Sequence, residues 1–370
     1  MRLTSLLFMG LLSYPATLVP AQAPAPAAAP QSSPSLATRP ANDTNAPAAE
    51  GSMLLNVVVT DKDGKSVSGL GVGDFQLLDN NRPMQILSFR AFGGDAQPDA
   101  PPETVVIVFD TVNMPFESVS YTRVQVGAYL RQNGGHLAYP VSLAFLTNTS
   151  IQFQGEPTTD GNELAKQLDE TSGNLRTIGR TAGTWGEIER FQYCVGMLTT
   201  LVQRMKDVPG RKLLIWAGPG WPMLSEPGIN FGSKAQTSFF DRIVGLNTML
   251  REGQIELSSV AQGMAGEGTF LYESYLKGVK KLNLANPPNL ALKVLAMQSG
   301  GRVIPPTNDV ATAIATVAQD AGTYYEITYE PPRPDGPNEY HELKLKVNQP
   351  GLAAHTNAGY YGQPKLVAAP

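Results

Sequence analysis

Asp110 is the residue whose position points most directly to chemistry. It follows the apolar run Val105 to Phe109 and precedes the polar turn Thr111 to Asn113. A carboxylate at the end of a buried strand can hold a hard divalent cation, or it can accept hydrogen bonds from its own loop. Further oxygen ligands nearby would favour a role for Asp110 in cation binding, and their absence would favour a structural role in its own loop.

Other catalytic patterns are absent from the sequence. The three histidines lie far apart in positions that form no HExxH motif, and no G-x-S-x-G elbow is present. The single cysteine, Cys194, excludes an internal disulfide and a zinc cluster, and a buried inert thiol is its expected role. The loop Gly218 to Pro222 lacks the Lys-Ser/Thr pair of a phosphate-binding loop. A pair of carboxylates contributed by distant loops, as in glycosidases, stays open.

Composition narrows the classes of function further. The chain has 370 residues, of which 42% are hydrophobic and 16% charged, with a net charge of −4. Such a chain is long enough for one large domain or two ordinary ones with a sizeable core. It lacks the basic face that nucleic-acid binding requires, so no nucleic-acid partner is expected.

The first 52 residues predict export. Residues 1–21 combine Arg2, an apolar run and small residues before a cleavage point preceding Gln22, which is typical of a signal peptide. Residues 22–52 are rich in Ala, Pro and Ser and predict a disordered tether. We therefore expect a secreted or periplasmic protein with no transmembrane segment after signal cleavage.

The remaining chain predicts an α/β fold with a discontinuous β part. In residues 101–321, strand-length apolar runs alternate with helical stretches, which predicts a doubly wound, mostly parallel sheet. Residues 53–95 and 323–362 contain short alternating strands and are each too short to be stable alone. We expect them to form one β-sandwich, with residues 363–370 as a tail.

Several elements can be placed more closely. The clearest helix has an apolar stripe with spacings of three and four residues. Its members are Ile188, Phe191, Val195, Leu198, Val202 and Met205. Asn308 is the expected N-cap of the last helix, and Trp216 is expected in the core because it lies in the middle of a strand. Residues 262–288 give no clear pattern.

The order of these segments resembles the von Willebrand factor A-related proteins typical of acidobacterial genomes. The resemblance covers nearly all of residues 53–362 and is weakest over residues 262–288. Each motif is weak by itself, and their order and spacing carry the resemblance. The segments that carry it are residues 57–89, VIVFDTVN, PGRKLLIWAGPGW, GGRVI, YYEITYEPP and GYYG.

The resemblance implies a ligand-binding edge at the carboxyl ends of the parallel strands. In the wider class this edge carries a metal-ion-dependent adhesion site, in which Asp-x-Ser-x-Ser is joined by a threonine and an aspartate from two other loops. Here Asp110 matches the first position, but Val112 and Met114 replace the serines and Gly218 replaces the aspartate. Thr184 matches the threonine. The site is therefore expected to be degenerate, with no cofactor, and magnesium or calcium held by Asp110 and Thr184 is the less favoured alternative.

Recognition at this edge would then depend on other side chains. Thr111 and Asn113 offer oxygens, Trp185 follows Thr184 in the second loop, and Trp221 lies in the third loop beside Gly218. Aromatic side chains contribute strongly to binding when they are exposed. For Trp221, an exposed anchor and a buried side chain are both open.

These observations predict an exported interaction module and not an enzyme. Its partner would be a protein or a cell-surface ligand. Two alternatives stay open: an extracellular hydrolase with an accessory β domain, which two acids in one cleft would favour, and a structural protein of the cell envelope.

Overall fold

The computed structural model describes residues 51–93, 103–171, 183–224, 232–263 and 272–364. The predicted signal peptide, nearly all of the predicted tether and residues 365–370 lie outside the described residues. The strands are β1 Met53–Thr60, β2 Phe75–Asp79, β3 Arg82–Met84, β4 Ile86–Phe92, β5 Glu103–Asp110, β6 His136–Leu146, β7 Ile151–Asp160, β8 Arg211–Ala217, β9 Ile255–Val260, β10 Tyr324–Tyr329, β11 Glu339–Val347, β12 Ala353–His355 and β13 Gly359–Gly362. The α-helices are α1 Phe116–Leu130, α2 Gly161–Thr171, α3 Gly183–Met205, α4 Ser233–Glu252, α5 Leu292–Gln298 and α6 Val310–Ala318.

A five-stranded sheet forms the centre of the α/β part. Its order is β7-β6-β5-β8-β9, in which β5, β6, β8 and β9 are parallel and β7 runs antiparallel to β6. The prediction of a mixed α/β chain with a mostly parallel sheet is confirmed. The antiparallel strand β7 was not predicted, because Gly155 and Pro157 interrupt its sequence, and such residues are typical of edge strands.

Helices cover both faces of this sheet. Val106 and Val108 of β5 pack in one apolar cluster with residues of α3 and α4. The alternate residues Val105 and Ile107 pack in a second cluster with residues of α1, α2 and α6. Because both faces are buried, the strand carries apolar residues at every position and shows no polar alternation.

Two four-stranded antiparallel sheets contain the strands from the chain ends. Their orders are β12-β1-β10-β4 and β13-β11-β2-β3. Strand β1 pairs with β10, and β2 pairs with β11, so residues that are far apart in sequence become neighbours. Leu55 and Tyr325 of the first sheet share one apolar cluster with Leu77 and Leu343 of the second.

The stretch that the sequence left undefined is described from residue 272 onward. It consists of short 3-10 turns at Tyr272–Tyr275, Leu282–Leu284 and Pro287–Leu290. Val279 N donates a hydrogen bond to the Tyr361 hydroxyl at 3.2 Å. This segment therefore contacts β13. Its turns are too short to produce a hydrophobic period, which explains why sequence periodicity did not identify them.

The N-cap of α6 is Asp309 and not the expected Asn308. The Asp309 carboxylate accepts a hydrogen bond from Thr312 N at 3.0 Å. The carbonyl of Asn308 instead accepts a hydrogen bond from the Tyr121 hydroxyl. Both residue types are good caps, so the sequence could not decide between neighbours.

Candidate functional site at the carboxyl edge of the sheet

Asp110 is the last residue of β5 and is fully buried. Its strand is hydrogen-bonded to parallel neighbours on both sides, β6 and β8. The loop that follows it therefore leaves the sheet at the carboxyl edge, where ligands of open α/β sheets bind.

Neutral donors surround the Asp110 carboxylate. Val112 N and Asn113 N each donate to Oδ1 at 3.0 Å. Asn113 Nδ2 donates to Oδ2 at 2.8 Å, and Trp216 Nε1 donates to the same oxygen at 3.0 Å. Since a carboxylate has about four lone-pair sites, these bonds engage its acceptor capacity. Asp110 thus fixes its own loop.

The electrostatics of Asp110 reflect the same arrangement. Burial raises the pKa of the Asp110 carboxyl, and the hydrogen bonds from Asn113, Trp216 and Val112 oppose that rise. All of these donors are uncharged groups. Fixed neutral dipoles therefore offset part of the desolvation of this carboxylate.

The two positions that the sequence resemblance matched to serines face the apolar cores. Val112 is fully buried in the cluster with α3, and Met114 is buried in the cluster with α1. Neither side chain carries an oxygen, and both fill core space that a shorter serine would leave partly empty.

Gly218 stands where the family's aspartate would lie, and the structure gives a steric reason for the glycine. A Cβ atom at Gly218 would lie 2.7 Å from Cβ of Asp110. Any larger residue would therefore displace the β5 loop. Together with Val112, Met114 and the engaged Asp110 oxygens, this close approach does not fit a divalent cation.

Thr111 and Asn113 are committed to the loop itself. Thr111 is fully buried and donates through Oγ1 to the carbonyl of Leu146 at 2.7 Å. The Asn113 amide bonds to Asp110 and also approaches Cys194 Sγ at 3.4 Å. Both residues that were predicted to bind a partner thus have direct internal roles.

Cys194 is buried under this loop. Burial and the neighbouring Asp110 charge raise the pKa of its thiol. A thiol of that kind is a poor nucleophile at neutral pH.

Trp221 is buried, so of the two alternatives that the sequence left open the exposed anchor is wrong. Its side chain is 4% exposed, and Nε1 donates to the carbonyl of Leu290 at 3.0 Å. The ring also packs edge-on against Trp216, with ring centroids 5.5 Å apart. The covering residue Leu290 lies 69 residues later in the chain, which is why the burial could not be foreseen from the local sequence.

Two exposed aromatic side chains lie at the same edge, and we call them the aromatic rim. Trp185, in the first turn of α3, is 80% exposed, and Phe116, at the start of α1, is 72% exposed. Thr184 is exposed beside Trp185, and no hydrogen bond joins it to Asp110 in the described part of the chain. Phe116 was missed from the sequence, although its place two residues after Met114 in the β5 loop could have identified it.

Clefts with paired acids would favour a hydrolase. The groove between α3 and α4 has a volume of about 570 Å³ and contains one carboxylate, that of Asp241.

Within the described ranges, no group of three or more His, Cys, Asp and Glu side chains is placed to hold a metal ion. Among those same residues, none of the helices combines the length and hydrophobicity that a membrane crossing needs.

No family model and no curated protein matches the chain. Among solved structures, the chain is similar to the human COPII-coat protein Sec24c, with 12% identity, a TM-score of 0.33, and coverage of 72% of this chain and 44% of that one. It is also similar to proximal thread matrix protein 1 from the mussel byssus, with 11% identity, a TM-score of 0.32, and coverage of 69% of this chain and 48% of that one. The similarity to the pilus adhesin SpaC from Lactobacillus rhamnosus GG has 14% identity, a TM-score of 0.32, and coverage of 80% of this chain and 49% of that one. The chain thus matches less than half of each of these proteins, and TM-scores this low identify neither fold nor function.

Proposed function

We propose that this chain is an exported interaction module of the von Willebrand A type that binds a protein or surface partner without a bridging metal ion. In this proposal the five-stranded sheet and its helices form the A-type domain. The two four-stranded sheets form the β-sandwich built from both chain ends.

The observation that carries the proposal is the exposure of the aromatic rim. Large aromatic side chains are the commonest energetic anchors of protein interfaces. Trp185 and Phe116 are 80% and 72% exposed at the edge where α/β sheets bind ligands. Their exposure contrasts with the buried state of Trp216 and Trp221 in the same region.

The unfavourable setting for a cation supports the second part of the proposal. Asp110 already accepts hydrogen bonds from three residues, and Gly218 provides no ligand. Affinity must then come from apolar burial and shape at the rim, at roughly 25 cal/mol for each Å² of apolar surface removed from water.

Affinity capture from the exported proteins of the host tests the proposal. The immobilised chain is compared with the double variant Trp185→Ala/Phe116→Ala, each with and without EDTA. We expect a specific partner that the double variant no longer retains and that EDTA does not release. Val124→Ala is the matched control, because Val124 is also an exposed apolar residue, 64% exposed, but lies within α1.

Two results would contradict the proposal. Capture that EDTA abolishes would show that a metal ion carries the interaction. Capture that the double variant and the Val124 control retain equally would place the binding surface away from the aromatic rim.

A further inference from the structure

A second buried charge cluster lies at the opposite edge of the five-stranded sheet, around Arg211. Arg211 is the first residue of β8, and its guanidinium holds the Glu256 carboxylate with two hydrogen bonds of 2.8 and 2.5 Å. Arg211 Nη1 donates to the carbonyl of Asp320 at 2.6 Å. Three of the five N–H groups of the guanidinium thus donate to these two residues.

Glu103 is a second carboxylate on the same guanidinium. It is the first residue of β5, its side chain is 10% exposed, and its Oε1 lies 3.7 Å from Arg211 Nη1. That oxygen accepts no hydrogen bond within the described residues. One cation therefore serves two buried acids, and only Glu256 is bonded with good geometry.

Two tyrosines complete the surroundings of Glu103. The Tyr324 ring of β10 lies 4.3 Å from the Arg211 guanidinium carbon, and its hydroxyl is buried without a partner in the described chain. Tyr139 of β6 is also close enough for the Glu103 and Arg211 charges to act on its phenol. Burial raises the pKa of both phenols, so they stay neutral, and the nearby Glu103 charge raises each pKa further.

This cluster joins the five-stranded sheet to the strands from the chain ends. Glu103 lies where the chain enters β5, and Tyr324 lies where it returns to β10, which pairs with β1 and β4. Close by, Arg302 donates to the Asp320 carboxylate at 3.1 Å and to the carbonyl of Gly64 at 2.8 Å. We call Glu103, Arg211, Glu256, Asp320 and Tyr324 the joint.

The charge balance of the joint depends on Glu103. With Glu103 protonated, Arg211 and Glu256 neutralise each other. With Glu103 ionised, the group formed by Glu103, Arg211 and Glu256 carries one excess negative charge, because the Asp320 carboxylate is paired with Arg302, and Glu103 Oε1 accepts no hydrogen bond within the described residues. Desolvation raises the pKa of Glu103 from 4.5 to about 7, although Arg211 opposes the rise.

We infer that the joint is a pH-responsive latch: a protonated Glu103 holds β5 and β8 closed against β10, and ionisation of Glu103 loosens this contact. The sign follows from linkage. An acid whose pKa is higher in the closed form than in the open form disfavours the closed form as the pH rises through that interval. This inference is independent of the proposed binding function.

Hydrogen–deuterium exchange of the full chain tests the latch. With a carboxyl pKa of about 7 when closed and 4.5 when open, raising the pH from about 6 to about 8 should increase the opening equilibrium about tenfold. After correction for the intrinsic pH dependence of exchange, amides at the start of β5, β8 and β10 should lose protection by that factor. Amides in the centre of α6 should not.

Glu103→Gln supplies the decisive comparison, because glutamine imitates the protonated acid. We expect the variant near pH 8 to show the protection that the wild type shows near pH 6, with a flat profile between them. Glu117→Gln, at an exposed position of α1, should keep the wild-type profile. The latch is refuted if Glu103→Gln retains the wild-type pH dependence, or if it opens the joint at every pH, since the ionised pair with Arg211 would then be the fastening.

A direct titration guards against a variant that does not fold. The carboxyl carbon of Glu103 in the wild-type chain, followed by carbon-detected NMR, should titrate near pH 7. A midpoint near the ordinary glutamate value would remove the physical basis of the latch.

Discussion

Glu103 and Asp110 are the two ends of one strand, β5, and both carboxylates are buried, yet they are stabilised in different ways. Asp110 receives hydrogen bonds from neutral donors in its own loop and from Trp216. Glu103 Oε1 accepts no hydrogen bond in the described chain and lies 3.7 Å from Nη1 of an arginine that Glu256 already engages. The carboxylate at the carboxyl end of the strand thus has hydrogen-bond donors on both oxygens, whereas the carboxylate at the amino end has an oxygen without a donor among the described residues.

This difference indicates where the molecule can respond to its surroundings. A saturated carboxylate has no capacity left for an external partner, so binding at the carboxyl edge must use other groups, and the exposed aromatic rim supplies them. An under-satisfied carboxylate is sensitive to protons, because a proton removes the charge that lacks a donor.

The largest expected effect is at the amino end. Arg211→Leu should lower the free energy of unfolding by about 3–5 kcal/mol, because it leaves the buried Glu256 without a cation. Urea denaturation measures the loss. Arg131→Leu is the matched control, since Arg131 pairs with Asp169 at 2.7 Å in a pair that is about half exposed. A loss at Arg211 no larger than at Arg131 would show that the joint contributes little.

A smaller effect is expected from the aromatic residues of the carboxyl end. Trp221→Ala should cost about 3 kcal/mol, because it removes a buried ring and its hydrogen bond to Leu290. Trp185→Ala should change the free energy of unfolding by less than about 0.5 kcal/mol, because its side chain is exposed. Thermal and urea denaturation compare the two. Equal losses would mean that the separation into core and rim is wrong.

A stability effect no larger than that at Trp221 is expected at Asp110 itself. Asp110→Asn places an amide group opposite Trp216 Nε1 or Asn113 Nδ2 and should cost about 1–3 kcal/mol. The double variant with Trp216→Phe should cost less than the sum of the single changes, because the buried indole donor is then gone. An additive result would indicate that Trp216 does not stabilise the carboxylate.

The same position permits a metal test. Millimolar magnesium or calcium should leave the melting temperature of the wild type unchanged, because the Asp110 oxygens already have partners. Calorimetry should show no saturable heat. A stoichiometric signal that Asp110→Ala abolishes would overturn this expectation.

Much of the α/β part could be predicted from local patterns. The apolar run of β5 and the stripe of α3 both appear where periodicity placed them. Trp216 is buried, as its place within β8 indicated. The structural role of Asp110 was also among the predicted alternatives, because a carboxylate after a strand commonly binds the backbone of its own loop.

The burial of Trp221 and the joint could not be predicted in this way. Trp221 is covered by Leu290, 69 residues later in the chain. Arg211 meets Glu256 across 45 residues and the Asp320 carbonyl across 109. Exposure of a loop residue and the sharing of a cation depend on such distant neighbours, and no local periodicity contains them.

Residue patterns along the chain were enough to predict a mixed α/β protein with a mostly parallel sheet, because strands buried on both faces are apolar throughout and helices buried on one face carry an apolar stripe. Residue identity also fixes that Val112, Met114 and Gly218 bring no side-chain oxygen to the carboxyl edge. Which aromatic side chains face solvent, and which carboxylate oxygen lacks a donor, became clear only in the folded arrangement. Both properties are set by the atoms that surround a side chain, and those atoms come from distant parts of the chain.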